Sequence, residues 1–156
     1  MQDADTKEWI EGDYIFEFGK DIKNLGKITL GYGYYDIPSS PDTHEVFGKL
    51  RLNLPLNPEF RVYHDFGTAN GQFMQFGIGH ELKIGEQPIV LGANIGYNRH
   101  YTVKDSGFSN VSGYMGIPIP VKGTNLTITP SVTLSKALDH KFDDFANFGL
   151  EVRFGF

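Results

Sequence analysis

The sequence predicts an all-β protein, an antiparallel up-and-down transmembrane β-barrel with about nine visible strands. Three observations carry this expectation. Apolar and polar residues alternate strictly in nine separate runs, the pattern of strands with two unlike faces. Most runs reach about nine to twelve residues, the length that crosses a bilayer, whereas soluble strands average about 5–6. The composition is rich in glycine (19), phenylalanine (13) and tyrosine (8), which suits strands, tight turns and aromatic girdles better than helices.

The runs follow in order. Asp13 to Gly19 sets Tyr14, Phe16 and Phe18 on one face, with Asp13, Glu17 and Gly19 on the other. After a turn at Lys23-Asn24-Leu25-Gly26, the second run puts Ile28, Leu30, Tyr32 and Tyr34 opposite Thr29, Gly31, Gly33 and Tyr35. The loop PSSPD leads to the third, where Val46, Leu50 and Leu52 oppose Glu45, Lys49, Arg51 and Asn53. LPLNP precedes the fourth, with Phe60, Val62 and Phe66 opposite Glu59, Arg61, Tyr63 and Asp65. GTANG precedes the fifth, with Met74, Phe76, Ile78, Leu82 and Ile84 opposite Gln75, Gly77, Gly79, Glu81 and Lys83. GEQP precedes the sixth, with Ile89, Leu91, Ala93, Ile95 and Tyr97 opposite Gly92, Asn94, Gly96 and Asn98. The seventh run is Ser109 to Ile119. In the eighth, Leu126, Ile128, Val132 and Leu134 oppose threonines and serines, and Pro130 is expected to mark a bulge because proline removes a ladder donor. In the last run, Phe148, Leu150, Val152, Phe154 and Phe156 oppose Asn147, Gly149, Glu151, Arg153 and Gly155.

Compact connections (DIKNLG, LPLNP, GEQP, VKGT) tend to alternate with longer or more polar ones (PSSPD, HYTVKDSG, DHKFDDF). GTANG is short for its side. Short turns on one side and longer loops on the other are the arrangement of outer-membrane barrels. Such barrels have an even strand number with both termini inside. An odd count therefore predicts that one or more strands precede Asp13, in a 10–12-stranded barrel or one of ten with Thr6 to Glu11 as a weak first strand, or else an unusual odd closure. The whole chain, 1–156, is expected to be one barrel domain with residues 1–8 as a flexible N-terminal segment.

Composition excludes several function classes. The net charge is −5 with scattered lysine and arginine, and there is no cysteine. Nothing suggests a nucleic-acid surface, a disulfide scaffold, a thiolate metal site or a thiol nucleophile. No apolar run reaches the roughly 18 residues of a membrane helix. The first residues lack the basic and apolar regions of a signal peptide. None of the five histidines sits in a metalloprotease or serine-hydrolase neighbourhood, so no catalysis, metal or cofactor is expected. His64 and His80 fall among outward residues and suit the membrane interfaces.

The alternate Phe148, Leu150, Val152, Phe154 and Phe156 resemble the C-terminal signal of bacterial outer-membrane proteins. The resemblance implies a bacterial outer-membrane location and insertion by the barrel assembly machinery through the last strand. The segments LGYGYYDIP, RVYHDFGTANGQFMQFGIGHEL, VLGANIGYN and LTITPSVTLSKAL are similar to the C-terminal part of the TorF-like porins, over roughly Glu8 to Phe156. That family lends a fold and a location more than an activity.

Two residue sets follow from the alternation. Glu17, Lys49, Arg51, Glu59, Arg61, Asp65, Glu81, Asn94, Glu151 and Arg153 are candidates to line the lumen. They would form either a mixed-charge pore wall or a salt-bridged plug. Tyr14, Phe16, Tyr32, Tyr34, Phe60, Phe66, Tyr97, Phe148, Phe154 and Phe156 are candidates for the lipid face and its girdles, as is Tyr101. The leading expectation is a porin passing small polar solutes, in contact with outer-membrane lipid. One alternative is a closed structural or interaction barrel acting through its extracellular loops. Another is a soluble ligand-binding barrel with the apolar face inside.

Overall fold

A computed structural model describes residues 12–36 and 41–154. Expectations for residues 1–8, for Thr6 to Glu11, for most of the PSSPD loop and for Phe156 lie outside the described residues. The described residues contain strands, turns and bends, and none is helical. The strands are β1 (Gly12–Ile22), β2 (Gly26–Asp36), β3 (Thr43–Leu52), β4 (Glu59–Asp65), β5 (Gln72–Ile84), β6 (Gln87–Arg99), β7 (Ser106–Gly116), β8 (Ile119–Pro120), β9 (Leu126–Ala137) and β10 (Phe145–Phe154). The fold is all-β and antiparallel, as the alternation predicts. The sheet is ordered β1-β2-β3-β4-β5-β6-β7-β9-β10, with β8 paired to β9.

Nine long strands match the nine runs, and the tenth element has a local cause. Pro118 interrupts the seventh run, leaving β8 as a two-residue piece. The register does not change across the break. Asn110 pairs Ala137 and Gly116 pairs Ser131, and beyond the gap Ile119 pairs Ile128 in the same phase. Pro130 lies opposite the gap and accepts a bond from the Ile117 amide at 3.0 Å. Its bonding edge therefore faces β7 and β8, and its missing N–H falls between the two pieces. The expected bulge is absent: β9 and β10 stay in register from Phe145↔Ser135 through Leu150↔Pro130 to Phe154↔Leu126. Proline costs a bond here, not a residue of register.

Turn chemistry places the compact connections. Asn24 adopts φ 63° before β2, Gly85 φ 63° before β6 and Gly123 φ 78° before β9, conformations that asparagine and glycine tolerate. In LPLNP both Leu56 and Asn57 have positive φ. The Gly79 amide donates to Leu56 O at 2.7 Å and Asn57 Nδ2 to Gly79 O at 3.2 Å, which brace that turn.

The contacts group into two compact units. The first is Met1–Asn53, Glu59–Gln75 and Tyr97–Gly107; the second is Leu54–Pro58, Phe76–Gly96 and Phe108–Phe156. In the first, β1 to β4 run in unbroken register. One row of paired residues is Glu17, Gly31, Phe47 and Tyr63. Phe47 is buried at 6% exposure, and Gly31 makes room for it. A Cβ on Gly31 would lie 2.1 Å from the Phe47 ring and 2.8 Å from the Phe16 carbonyl. In the second unit the inward hydroxyls of β7 and β9 bond each other. Ser112 Oγ donates to Ser135 Oγ at 2.9 Å, and Asn110 Nδ2 donates to both serines.

Burial runs opposite to that of a water-soluble protein. On β2 to β4, Glu45 and Asp65 are buried at 1% and 3%, whereas Leu30 is 60% exposed, Val46 44% and Phe60 45%.

Candidate functional site

Within each described strand the candidate lumen and lipid residues occupy alternate positions, and Phe156 lies outside the described residues. Of the lumen set, Glu17 and Lys49 form an ion pair that reaches over β2, and the Lys49 ammonium also stands 4.7 Å from the Phe47 ring centroid. Arg61 pairs with Glu59, and Arg51 lies directly across from Glu59 on the β3–β4 ladder. Asp65 is buried and tied to a loop. In the second unit, Glu151 and Arg153 pair with each other at 2.7 Å on β10. Glu81 stands exposed on β5 and Asn94 half-buried on β6.

Of the lipid set, Tyr14, Phe16, Tyr32, Phe60, Phe66, Phe148 and Phe154 are exposed, and Tyr34 and Tyr97 are partly so. Around the loop-side end of β2 and β3 several of them cluster. His44 stacks on Phe66 at 5.8 Å, and its Nδ1 shares a 2.7 Å hydrogen bond with the Tyr32 hydroxyl. Tyr34 contacts both Tyr14 and His44 and donates to Asp42 Oδ2 at 2.6 Å.

The densest polar chemistry lies on the inner side of the first unit, at its loop end. Three buried residues organise it. Glu45 is 1% exposed. Its Oε1 accepts from the Tyr35 hydroxyl at 3.0 Å and its Oε2 from the Tyr101 hydroxyl. Asp65, directly across from Glu45 in the ladder, holds the GTANG loop. Its Oδ1 accepts from the amides of Gly67, Ala69 and Asn70, each at 3.0 Å, and its Oδ2 accepts from the Thr43 hydroxyl. Asn98, fully buried, holds the next loop. Its Nδ2 donates to Val103 O at 3.0 Å and Asp105 O at 2.6 Å, while its Oδ1 accepts from the Thr102 amide at 2.7 Å. Buried polar groups left without partners are costly, and each of these is satisfied. Below them the rings of Phe47, Tyr63, Phe73 and Tyr101 follow one another at 5.6, 6.3 and 5.9 Å.

Burial, followed by the bond to Glu45 and its negative charge, pushes the Tyr101 phenol well above its ordinary value. A raised phenol favours the neutral form, so its contribution to stability is complete below about pH 10 and is lost as the pH rises beyond it.

Tyr101 is a correction to the alternation. Read as a girdle residue, it turns inward onto Glu45. Strand periodicity ends at Arg99, and His100 takes φ 58°, which redirects the chain. Tyr35 and Glu45 were legible as inward residues but not as a pair of partners for anything. Phe47, in phase with Lys49 and Arg51, could have been found by position alone. No group of three or more metal-ligating side chains occurs among the described residues. Among the described residues no helix is long and apolar enough to cross a membrane, a finding silent about strands. Comparison with known proteins finds no matching family model, no matching curated protein and no matching solved structure.

Proposed function

We propose that the chain forms an outer-membrane β-barrel of the porin kind, resembling the TorF-like porins, that lets small polar solutes pass along a mixed-charge interior. The observation that supports it is the inverted burial. Neighbours on β3 and across its ladder carry it: Glu45 is 1% exposed and Asp65 3%, whereas Val46 is 44% exposed and Phe60 45%, an order that makes sense where the surroundings are hydrocarbon and the interior is polar. A soluble ligand-binding barrel would bury Phe16, Leu30 and Leu150 and expose Glu45 and Asp65. In this reading, lipid covers the outward aromatics, and the last strand engages the bacterial assembly machinery. Nucleic acid and cofactors play no part. The solute meets Lys49, Arg51 and Arg61 facing Glu17 and Glu59, a wall of both signs with modest selectivity.

The Tyr101–Glu45 bond favours a second reading, a closed barrel that works through its loops. Planar-bilayer recording on the folded chain separates the two. Step-like currents, absent from a heat-denatured control, are the expected result. Folded protein in the bilayer with no steps would end the porin reading and leave the closed barrel.

A further inference from the structure

We infer that the segment from Arg99 to Asp105 is a latched cover over the inner face of the first unit. It is held shut by Tyr101 on Glu45, and its release admits solute to that face. The passage of solute rests on the porin reading above; the latch itself does not.

Three observations converge on it. The first is reach. β4 and β5 lie between β3 and β6 in the sheet, so Glu45 and the end of β6 are three strand spacings apart, about 14 Å. The Tyr101 hydroxyl nevertheless bonds the Glu45 carboxylate. The segment must therefore turn inward and pass over the ends of the two intervening strands. The second is a backbone seat for that crossing. A Cβ on Gly71 would lie 2.2 Å from the His100 carbonyl oxygen and 2.5 Å from the Tyr101 amide nitrogen, a contact open only to glycine. The third is that the segment is braced within itself. Asn98 clamps Val103, Asp105 and Thr102 from a fully buried position, and the His100 amide reaches Asp105 O at 3.4 Å. A piece held so tightly inside moves as a body. One phenol-to-carboxylate bond then ties that body to a strand three places away.

The test uses the whole chain, folded in detergent and in bilayers. Tyr101→Phe removes one hydroxyl and keeps the ring on Phe73; Glu45→Gln weakens the acceptor, and Gly71→Ala pushes the crossing from below. Heat-modifiable electrophoretic mobility confirms that each variant is folded. The latch predicts that amide exchange in residues 99–105 rises about tenfold in Tyr101→Phe while β1 and β2 are unchanged, and that open times in single-channel records lengthen severalfold. Unchanged exchange in Tyr101→Phe and Glu45→Gln overturns the latch whatever the currents do. Raised exchange with currents identical to those of the parent overturns the cover as a gate. Raised exchange with no current from any protein upholds the latch and instead defeats the porin reading.

Discussion

Single carboxylates do unlike work in this chain, and their surroundings decide which. Asp65 spends one oxygen on three amides and so shapes a loop; Glu45 spends both on phenols and so joins distant segments. Asp144, on the connection between β9 and β10, is exposed. Its carboxyl is held below the usual carboxylate range by the bond to Lys136 at 2.5 Å and by the Ala137 amide. A depressed carboxyl adds stability above its unfolded value and loses it as the pH falls through the folded one. Thermal midpoints of the parent and Asp144→Asn should therefore differ by a constant, small amount above about pH 4 and converge below it. A difference that persists at low pH would remove the charge from that explanation. Glu45 itself was legible as an inward charge, because it keeps phase with Lys49 and Arg51. Its partner was not: Tyr101 sits 56 residues away, past the point where alternation says which way a side chain points.

At the scale of the element, the period-2 pattern carried most of what can be read from sequence. It located all nine long strands, since a strand with one apolar and one polar face leaves no choice of phase. It misjudged the prolines. Alternation cannot say which edge of a strand a residue's amide faces, and the two prolines matter only through that edge. The faces can be tested directly. Leu30 is exposed on the outer side of β2 and Thr29 is its inward neighbour. Leu30→Arg should cost about 2–4 kcal/mol of folding free energy into lipid vesicles, if β2 places it near the midplane. Thr29→Arg, one residue along, should cost much less. Equal costs would show that the two faces meet the same medium.

For the molecule as a whole, the exposed aromatic and aliphatic side chains have a solution consequence. Exposed apolar patches larger than a few hundred Å² mark interaction or membrane surfaces. Dilution of the folded chain out of detergent should give aggregates in sedimentation velocity, and return to detergent or lipid should restore a single species. A monodisperse, folded chain in plain buffer would revive the soluble ligand-binding barrel. The topology also orders events in time. The ladders join neighbours in the chain, apart from the short detour at β8, so hairpins form with little loop-closure entropy. The bond between Tyr101 and Glu45 differs: the two residues come together only after β4, β5 and β6 have been laid beside β3. Closing a separation of 56 residues, it is expected to form after the hairpins. The same hydroxyl that covers the finished inner face therefore also records that four consecutive strands have found their order.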